Sequence, residues 1–283
     1  MTGLHVWDQF RNRLLVEAQL ETLTAFRIGR GQESFEPSGS DLPVLRAADE
    51  TPFIPGSSLR GALRAYVERV VRAYEPRPRP GEPWRGRGAC DPLSQENSCV
   101  PGSLVKTWRK ELRQGGSGSL AERTWEHACR VCRLFGSPFL ASRVRIADLA
   151  PLEPLPVTTI RDSVAINREK ETVEHKYDFE VVEPGATFAL HVVAENVSQA
   201  ELGLLCLGLQ AMAQGQIEVG GFKGRGLGRV RLKDLTLRWV TAEDREAFRA
   251  FLRTGTLPVL NDPEAQVASW IEAVLADLEE ATA

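Results

Sequence analysis

The segment Arg-Leu-Leu-Val-Glu-Ala-Gln-Leu-Glu-Thr-Leu-Thr-Ala-Phe-Arg-Ile, residues 13–28, alternates apolar and polar side chains along its length. Several of these side chains are β-branched or aromatic, and alternation with period two is typical of a strand that buries one face. Gly29 and Gly31 then interrupt the pattern. We therefore expect a core built on a β-sheet, with this segment as its first strand.

Outward from this strand, the spacing of apolar residues predicts the other core elements. Residues 57–70 are expected to form a helix behind a serine cap, because apolar side chains recur there at helical spacing. Ser198 caps a second helix that extends to about Gln214, and further strands are predicted at 143–149, 187–194 and 229–240. The order β-α-β-β-α-β predicts an α+β fold with a modified ferredoxin-like or RRM-like core, in which two helices cover one face of a four-stranded antiparallel sheet.

Three segments interrupt or extend this core, which spans residues 13–240. Residues 76–140 contain loop-forming Pro-, Arg- and Gly-rich stretches, so we interpret them as an insertion. Residues 157–176 are polar and charged between two strand-like flanks, which indicates a protruding hairpin. Residues 241–283 predict a C-terminal extension with two helices, at 242–252 and 263–280.

Charge is distributed unevenly along the chain, although the net charge is only -3. Proteins that coat nucleic acid by bulk charge are usually strongly basic, so that class is excluded. Basic residues nevertheless dominate residues 60–87 and 222–233. No apolar run approaches the roughly 20 residues that a membrane span needs, and residues 1–28 lack the features of a signal peptide. We therefore expect a cytoplasmic protein that does not bind membranes.

Two glycine-containing segments are candidates for binding phosphate. Residues 54–61, Ile-Pro-Gly-Ser-Ser-Leu-Arg-Gly, place hydroxyls and free N–H groups where a helix begins, although an ordinary N-cap is an equally good interpretation. Residues 220–230, Gly-Gly-Phe-Lys-Gly-Arg-Gly-Leu-Gly-Arg-Val, combine basic side chains with glycines that let the backbone approach a ligand. This segment precedes a strand, so it is not a dinucleotide-binding fingerprint. A flexible hairpin loop with solvated arginines is the alternative.

Six short segments carry a further signal through their order along the chain. They are Ile28-Gly29, Gly39-Ser-Asp-Leu-Pro-Val44, Phe53-Ile-Pro-Gly-Ser-Ser-Leu-Arg-Gly61, Cys132-Arg-Leu-Phe-Gly136, Arg161-Asp-Ser-Val-Ala-Ile-Asn-Arg168 and the glycine-rich run 220–228. In this order they resemble the RAMP superfamily, specifically the backbone subunits of type III CRISPR effector complexes. The resemblance implies that the partners of this chain are guide RNA, target RNA and other RAMP subunits.

The resemblance also implies which residues bind RNA. Residues at the helix start and in the glycine-rich loop would contact guide phosphates independently of base sequence: Ser57, Ser58, Arg60, Arg64, Lys223 and Arg225. The hairpin at 157–176 matches the family's thumb, which wedges into the guide–target duplex and flips out a nucleotide. Val164, Ile166 and Arg168 would lie at its working end, where apolar side chains can unstack a base step. Without the resemblance this segment is an ordinary hairpin.

Asp41 lies in Gly-Ser-Asp-Leu-Pro, which resembles the loop that holds the catalytic aspartate of active family members. A carboxylate there could hold a magnesium or manganese ion or help to deprotonate a 2′-hydroxyl, which then attacks the adjacent phosphate. By residue type alone, a loop aspartate more often forms a turn. Asp49 and Glu36 are nearby alternatives. The resemblance therefore implies an endoribonuclease that cleaves target RNA in a metal-dependent manner.

The five cysteines include the pair Cys129 and Cys132, whose spacing favours metal binding over disulfide formation in a reducing compartment. This pair resembles the family's structural zinc knuckle. Cys90 and Cys99 would complete an all-cysteine site, and His127 is a substitute for either. Cys206 lies in an apolar helix and is expected to be a core residue.

Two other functions remain open at this point. In one, the chain has the same scaffold and binds the guide, but Asp41 is only a turn residue and the subunit is inactive. In the other, the chain is an endoribonuclease that processes the guide itself. No histidine accompanies the glycine-rich loops, and this disfavours the processing enzyme because metal-independent RNA cleavage commonly uses one.

Overall fold

A computed structural model describes residues 9–29, 40–79 and 82–280 of the chain. The strands in these ranges are β1 (Asn12–Thr22), β2 (Val144–Ile146), β3 (Thr158–Asn167), β4 (Thr172–Val182), β5 (Thr187–Glu195) and β6 (Val230–Thr241). The helices are α1 (Gly56–Tyr74), α2 (Gly102–Arg113), α3 (Leu120–His127), α4 (Arg130–Phe135), α5 (Gln199–Ala213), α6 (Arg245–Thr254) and α7 (Pro263–Glu280). A short 3-10 turn at Lys223–Arg225 lies between α5 and β6.

Four strands form an antiparallel sheet in the order β2-β5-β1-β6. Strand β1 is central, with Leu14 opposite both Ala194 and Trp239. Every second residue of β1 from Leu14 to Thr22 is buried, which confirms the half-buried strand expected from the alternation. The strand is shorter than predicted, because regular pairing ends at Thr22 and only isolated bridges continue at Phe26 and Gly29.

Helices α1 and α5 cover the buried face of this sheet. Leu59 and Leu63 of α1 and Leu202 and Leu205 of α5 belong to the same buried cluster as the inward side chains of β1. The β1-α1-β2-β5-α5-β6 order confirms the ferredoxin-like arrangement. Ser198 caps α5 through a reciprocal capping box with Glu201.

The serine cap predicted for α1 is wrong. The N-cap residue is Pro55, and no side chain caps the helix from that position. The Asp148 carboxylate instead accepts a hydrogen bond from Gly56 N at 2.8 Å. Gly56 itself fits tightly, since a Cβ there would lie 2.2 Å from the Ile146 carbonyl oxygen. Helix α1 therefore begins against the segment around β2, and the two serines lie inside its first turn.

The predicted hairpin is a separate two-stranded sheet of β3 and β4. Its register pairs Thr158 with Val182 at the base and Asn167 with Thr172 at the tip, with one irregularity between Ala165 and Ile166. The segment between α1 and β2 contains the three short helices α2, α3 and α4. Helix α3 starts with a capping box formed by Ser119 and Glu122.

Helix α7 is part of the core, whereas the sequence predicted a helix appended beyond it. Trp270, Val274 and Leu278 are buried in the main cluster. Helix α7 packs directly on α5 at Gly203, where a Cβ would lie 2.0 Å from the Trp270 carbonyl oxygen. Among the helices described, none is both long enough and apolar enough to span a membrane.

Candidate functional site

Three segments that carry sequence motifs meet at the base of the β3–β4 hairpin. Phe179 and Val181 of β4 are buried together with Ala25 and Leu227, and Leu42, Tyr177 and Phe222 pack against them. The rings of Phe179 and Phe222 meet edge to face, with centroids 4.9 Å apart. This hairpin-base cluster joins the loop at 40–46, the glycine-rich loop and the hairpin into one unit.

The loop at 40–46 follows the outer edge of β4. Glu180 N donates to the Leu42 carbonyl oxygen at 3.1 Å, and Val44 N donates to the Glu180 carboxylate at 2.9 Å. Arg46 forms an ion pair with Glu180. Burial opposes ionisation of Glu180, but hydrogen bonds from Val44, Thr158 and Arg46 lower its pKa below the ordinary value. A charged glutamate thus holds this loop against the hairpin.

Asp41 and Asp178 are joined by two reciprocal hydrogen bonds. Asp41 N donates to Asp178 Oδ1 at 2.8 Å, and Asp178 N donates to Asp41 Oδ2 at 3.1 Å. Ser40 Oγ also donates to Asp178 Oδ1, at 2.6 Å. The hydrogen bonds from Ser40 and from Asp41 N lower the pKa of Asp178. Asp41 remains exposed, so its carboxylate is accessible from solvent.

Asp49 and Glu36 are the alternative carboxylates, and the structure describes Asp49. Asp49 accepts hydrogen bonds from Thr51 Oγ1 at 2.6 Å and from Thr51 N at 3.1 Å, and these bonds lower its pKa. It therefore forms a local turn. Glu36 lies outside the described residues.

The glycine-rich loop uses its glycines in two ways. A Cβ at Gly220 would lie 2.3 Å from the Arg27 carbonyl oxygen, and one at Gly228 would lie 2.3 Å from the Val219 carbonyl oxygen. Both residues have positive φ, so glycine is needed there for close packing on the chain itself. Gly224 and Gly226 face open space. Only the middle of the loop is therefore free to approach a ligand.

A groove of about 380 Å³ lies between α1 and the glycine-rich loop. Its lining includes Ser58 and Gly61 from α1, Gly29 from the end of the first strand segment, and Gly221 and Lys223 from the loop. The groove brings Ser58 and Lys223 together, as expected if both contact one ligand. Ser57 is exposed on the first turn of α1 and does not line the groove.

Arg225 contacts the hairpin. Its guanidinium donates to Ser163 Oγ at 3.2 Å and lies over the rings of Phe222 and Tyr177, at 4.7 and 5.8 Å from their centroids. Hydrogen bonds from Ser163 and Arg225 lower the pKa of Tyr177. Within the part of the chain that is described, neither Arg225 nor Lys223 forms an ion pair, so both positive charges are available to an anion.

Arg60 and Arg64 have different environments, although both lie on α1. Burial and the nearby Arg64 lower the pKa of Arg60, and no described residue accepts a hydrogen bond from its buried Nε. Arg64 donates to Glu68, to the Gly136 carbonyl oxygen at 2.7 Å and to Cys132 Sγ at 3.2 Å. Burial opposes the charge of Arg64, but Cys132 and Glu68 raise its pKa. The structure therefore does not place Arg64 with Ser58 and Lys223.

The hairpin exposes apolar side chains on one face. Val164 and Ile166 are 46% and 61% exposed, and Ile160 lies on the same face of β3 because side chains alternate along a strand. Asp162 lies between Ile160 and Val164 on this face and is directly opposite Asp178. Arg168 is exposed just beyond the end of β3. The apolar face thus continues toward Asp178 at the base.

Four cysteines form a second cluster, away from these loops. Cys90, Cys99, Cys129 and Cys132 are buried, and their sulfur atoms all lie within 4.8 Å of one another. Tetrahedral zinc, with Zn–S bonds of about 2.3 Å, needs sulfur atoms about 3.8 Å apart. The donor set, burial and spacing therefore fit a structural zinc site. Cys206 is buried in α5, outside the cluster.

The sulfur atoms also influence one another's protonation. Burial opposes ionisation of Cys129, but hydrogen bonds from Cys132, Cys90 and Cys99 lower its pKa. The bonds to Cys129 in turn raise the pKa of Cys99 and of Cys132. Ionisation of all four buried sulfurs would need a cation to balance their charge, and zinc would supply it. His127 is not in the cluster; its Nδ1 lies 3.0 Å from the Arg123 carbonyl oxygen, and its ring packs on Trp108.

A family model described as RAMP superfamily matches residues 19–231, a range that includes α1 to α5, β2, β5, the hairpin and the glycine-rich loop. The chain belongs to the RAMP superfamily. This confirms the family that the six motif segments indicated.

Two curated relatives are similar to part of the chain. The chain is 37% identical over 65 residues to "CRISPR system Cms endoribonuclease Csm3" of Methanocaldococcus jannaschii, which covers 23% of this chain and 26% of the relative. It is 33% identical over 61 residues to the protein of the same name from Methanothermobacter thermautotrophicus, covering 21% and 25%. The matches thus span about a quarter of the length of each relative, and both relatives are named as CRISPR endoribonucleases.

Some residues of the site were missed from the sequence. Asp178 and Tyr177 lie in β4, for which the sequence predicts only a strand-like flank of the hairpin. Ser40 occurs in the motif Gly-Ser-Asp, but the sequence predicts no role for it. Their partners Asp41 and Arg225 are distant along the chain, so no local spacing links them. The motif Gly-Ser-Asp is the one signal that points to Ser40, because a hydroxyl next to a loop aspartate commonly hydrogen-bonds within a turn.

Proposed function

We propose that this chain is a guide-RNA-binding backbone subunit of a type III CRISPR effector complex and that it cleaves target RNA through Asp41. The supporting observation is the hairpin-base cluster. It holds an exposed aspartate, a basic glycine-rich loop and a hairpin with an exposed apolar face in one unit. RNA recognition by such a unit needs no base reading, since base pairing with the guide would supply sequence specificity.

The guide backbone is assigned to the groove between α1 and the glycine-rich loop. Ser58 and Lys223 line it, and phosphate oxygens accept hydrogen bonds from hydroxyls and ammonium groups of this kind. Arg225 adds positive charge from the same glycine-rich loop, and Ser57 and Arg60 lie at the start of α1 without lining the groove. Arg64 is satisfied by acceptors within the protein, so we give it a structural role.

The exposed apolar face of the hairpin is assigned to the guide–target duplex. Val164 and Ile166 would insert between base steps, and unstacking costs a few kcal/mol that added contacts offset. Arg168 at the end of β3 would contact the backbone. A distorted nucleotide held on this face would lie on the side of the hairpin that leads to Asp178 and Asp41.

Cleavage is assigned to Asp41. Its exposed carboxylate would bind a magnesium or manganese ion or accept the proton of a target 2′-hydroxyl. The hydroxyl oxygen would then attack the adjacent phosphorus as the bond from phosphorus to the 5′-oxygen breaks. The departing 5′-oxygen would take a proton from water, so the products would be a 2′,3′-cyclic phosphate and a 5′-hydroxyl. When bound, the ion would stabilise the negative charge that develops on the phosphate.

The test compares the natural protein with Asp41→Ala in the assembled, guide-loaded complex with magnesium or manganese. We expect cuts opposite this subunit to slow by about 10²-fold or more, while guide and target binding are unchanged. Asp49→Ala is the matched control and should cut at the natural rate, because its carboxylate serves a local turn. Unchanged cutting by Asp41→Ala would make the subunit an inactive scaffold.

A further inference from the structure

We infer that Asp178 of β4 is a positioning residue for Asp41 and fixes the direction of the Asp41 carboxylate from the hairpin. This inference rests on the proposed function, because it concerns the group assigned to cleavage. Asp178 has a clear geometric relationship to Asp41 but belongs to a different element, 137 residues away along the chain.

Each hydrogen bond between the two residues restricts a different part of Asp41. The bond from Asp41 N to Asp178 Oδ1, at 2.8 Å, fixes the backbone of the loop. The bond from Asp178 N to Asp41 Oδ2, at 3.1 Å, fixes the side chain and leaves Oδ1 of Asp41 for another partner. Together they set both the position and the orientation of the carboxylate.

Ser40 extends the same contact. Its hydroxyl donates to Asp178 Oδ1 at 2.6 Å and accepts from Leu42 N at 3.3 Å. Asp178 Oδ1 therefore receives two donors from consecutive residues of one loop. A carboxylate on a regular strand is a rigid anchor compared with a loop residue, and catalytic groups act efficiently when such neighbours hold them in place.

The stability of the hairpin alone does not explain an aspartate at position 178. Asp162 lies directly opposite it in the register of β3 and β4, and like charges that face each other across two strands are destabilising. Lys176 compensates Asp162 at 3.4 Å, whereas Asp178 takes its hydrogen bonds from the loop at 40–41. Asp178 thus accepts hydrogen bonds that hold the loop at 40–46 against the hairpin.

The arrangement has a consequence for how the substrate meets the carboxylate. Asp178 lies on the face of the hairpin that carries Val164 and Ile166, because residues opposite each other in a strand pair share a face. The hairpin therefore carries Val164 and Ile166 and, through Asp178, also holds the Asp41 carboxylate. A nucleotide displaced by Val164 and Ile166 would meet the Asp41 carboxylate, whose direction is set by Asp178 of the same hairpin.

The test uses three variants in the assembled, guide-loaded complex: Asp178→Ala, Asp178→Asn and Glu183→Ala, the last at a hairpin-base carboxylate whose partners are Thr159 and Arg161. Asparagine keeps an Oδ1 that can accept from Ser40 and Asp41 N, whereas alanine removes it. We expect Asp178→Ala to slow single-turnover cleavage opposite this subunit by about 10-fold or more, with target affinity unchanged. Asp178→Asn should stay within about threefold of the natural rate, and so should the matched control Glu183→Ala.

A second readout does not depend on activity. Hydrogen exchange of the peptide that covers residues 40–46 should accelerate in Asp178→Ala and stay natural in Asp178→Asn, since only the alanine variant loses the acceptor. Exchange of the β3 peptide is the internal control. Because β3 pairs with β4, a general loss of hairpin structure would accelerate exchange in β3 as well.

Three outcomes would overturn the inference. Natural cleavage and natural exchange in Asp178→Ala would show that Asp41 needs no support. Equal loss in Asp178→Asn and Asp178→Ala would assign the effect to the negative charge, as for a direct metal ligand. Loss in Glu183→Ala to the same extent would point to the hairpin as a whole. If Asp41→Ala cuts at the natural rate, the proposed cleavage function is contradicted, and that result does not depend on the Asp178 variants.

Discussion

Arg64 on α1 donates a hydrogen bond to Cys132 Sγ at 3.2 Å, which ties the helix that lines the groove to the four-cysteine cluster. The same guanidinium also donates to the Gly136 carbonyl oxygen. Metal-bound thiolates are commonly oriented by such outer partners. The cluster therefore supports the position of α1 as well as the fold of the inserted helices.

The cysteine cluster predicts the metal content of the protein. Cys90→Ser and Cys129→Ser should each lower bound zinc from one ion per chain toward zero, because a tetrahedral structural site needs all four sulfur ligands. Elemental analysis of the purified protein measures this, and the melting temperature should fall in parallel. Cys206→Ser is the matched control, since that thiol is buried in α5 and lies outside the cluster. Full zinc content in Cys90→Ser would contradict the assignment.

The contact between α5 and α7 predicts a steric effect at Gly203. Gly203→Ala would place a Cβ 2.0 Å from the Trp270 carbonyl oxygen, so the helices must separate. We expect a loss of about 1–3 kcal/mol in the free energy of unfolding, measured by chemical denaturation. Gly61→Ala on α1, where nothing lies within 4 Å, should instead be neutral or stabilising by up to about 1 kcal/mol. Equal effects of the two substitutions would contradict the close packing.

The groove predicts how RNA affinity depends on salt. Lys223→Ala should weaken guide binding and reduce the slope of log affinity against log salt by about 0.7, the value for one phosphate contact with a single strand. Titration at several salt concentrations measures the slope. Arg249→Ala on α6 is the matched control, because α6 packs near the start of β1 and the groove lies beyond its end. An unchanged slope in Lys223→Ala would remove that residue from the interface.

Glu180 predicts a dependence of stability on pH. Its pKa in the folded protein lies below the ordinary 4.5, so its stabilising contribution is complete above that value and is lost as pH falls through the folded pKa. Glu180→Gln should therefore melt below the natural protein at neutral pH, and the difference should shrink below about pH 4.5. Thermal unfolding between pH 3 and 7 checks this. Glu169→Gln at the exposed hairpin tip should show no such dependence.

The order of the core elements could be predicted from the sequence because it depends on local patterns. Alternation over 13–28 marks β1, helical spacing marks α1 and α5, and the polar run between two strand-like flanks marks the hairpin. The serine cap could not be predicted correctly, because the group that satisfies the start of α1 is Asp148, 92 residues away. The sequence around Gly56 gives no indication that Asp148 is the partner.

The role of α7 was missed although a signal existed. Val267, Trp270, Ile271, Val274 and Leu278 recur at helical spacing and mark an apolar stripe that needs a partner. Gly203 on α5 was the second clue, since a glycine inside a helix often marks close approach of another backbone.

The candidate site was predictable only in part. Asp41, Lys223 and the four cysteines follow from motifs, and the cysteines do lie together. The link from Arg64 to Cys132 and the link from Asp41 to Asp178 join segments that are far apart in sequence. Such pairs depend on the docking of whole elements, so side-chain chemistry and spacing alone do not determine them.

The packing of α7 on α5 also affects the order in which the protein can fold during its synthesis. The sheet and α5 are complete when residue 241 has left the ribosome, but the core still lacks Trp270, Val274 and Leu278. Until then, the nascent chain carries an uncovered apolar surface on α5, which favours aggregation or chaperone binding. Synthesis of α7, rather than completion of the sheet, thus determines when a newly made chain can first bury the apolar surface of α5.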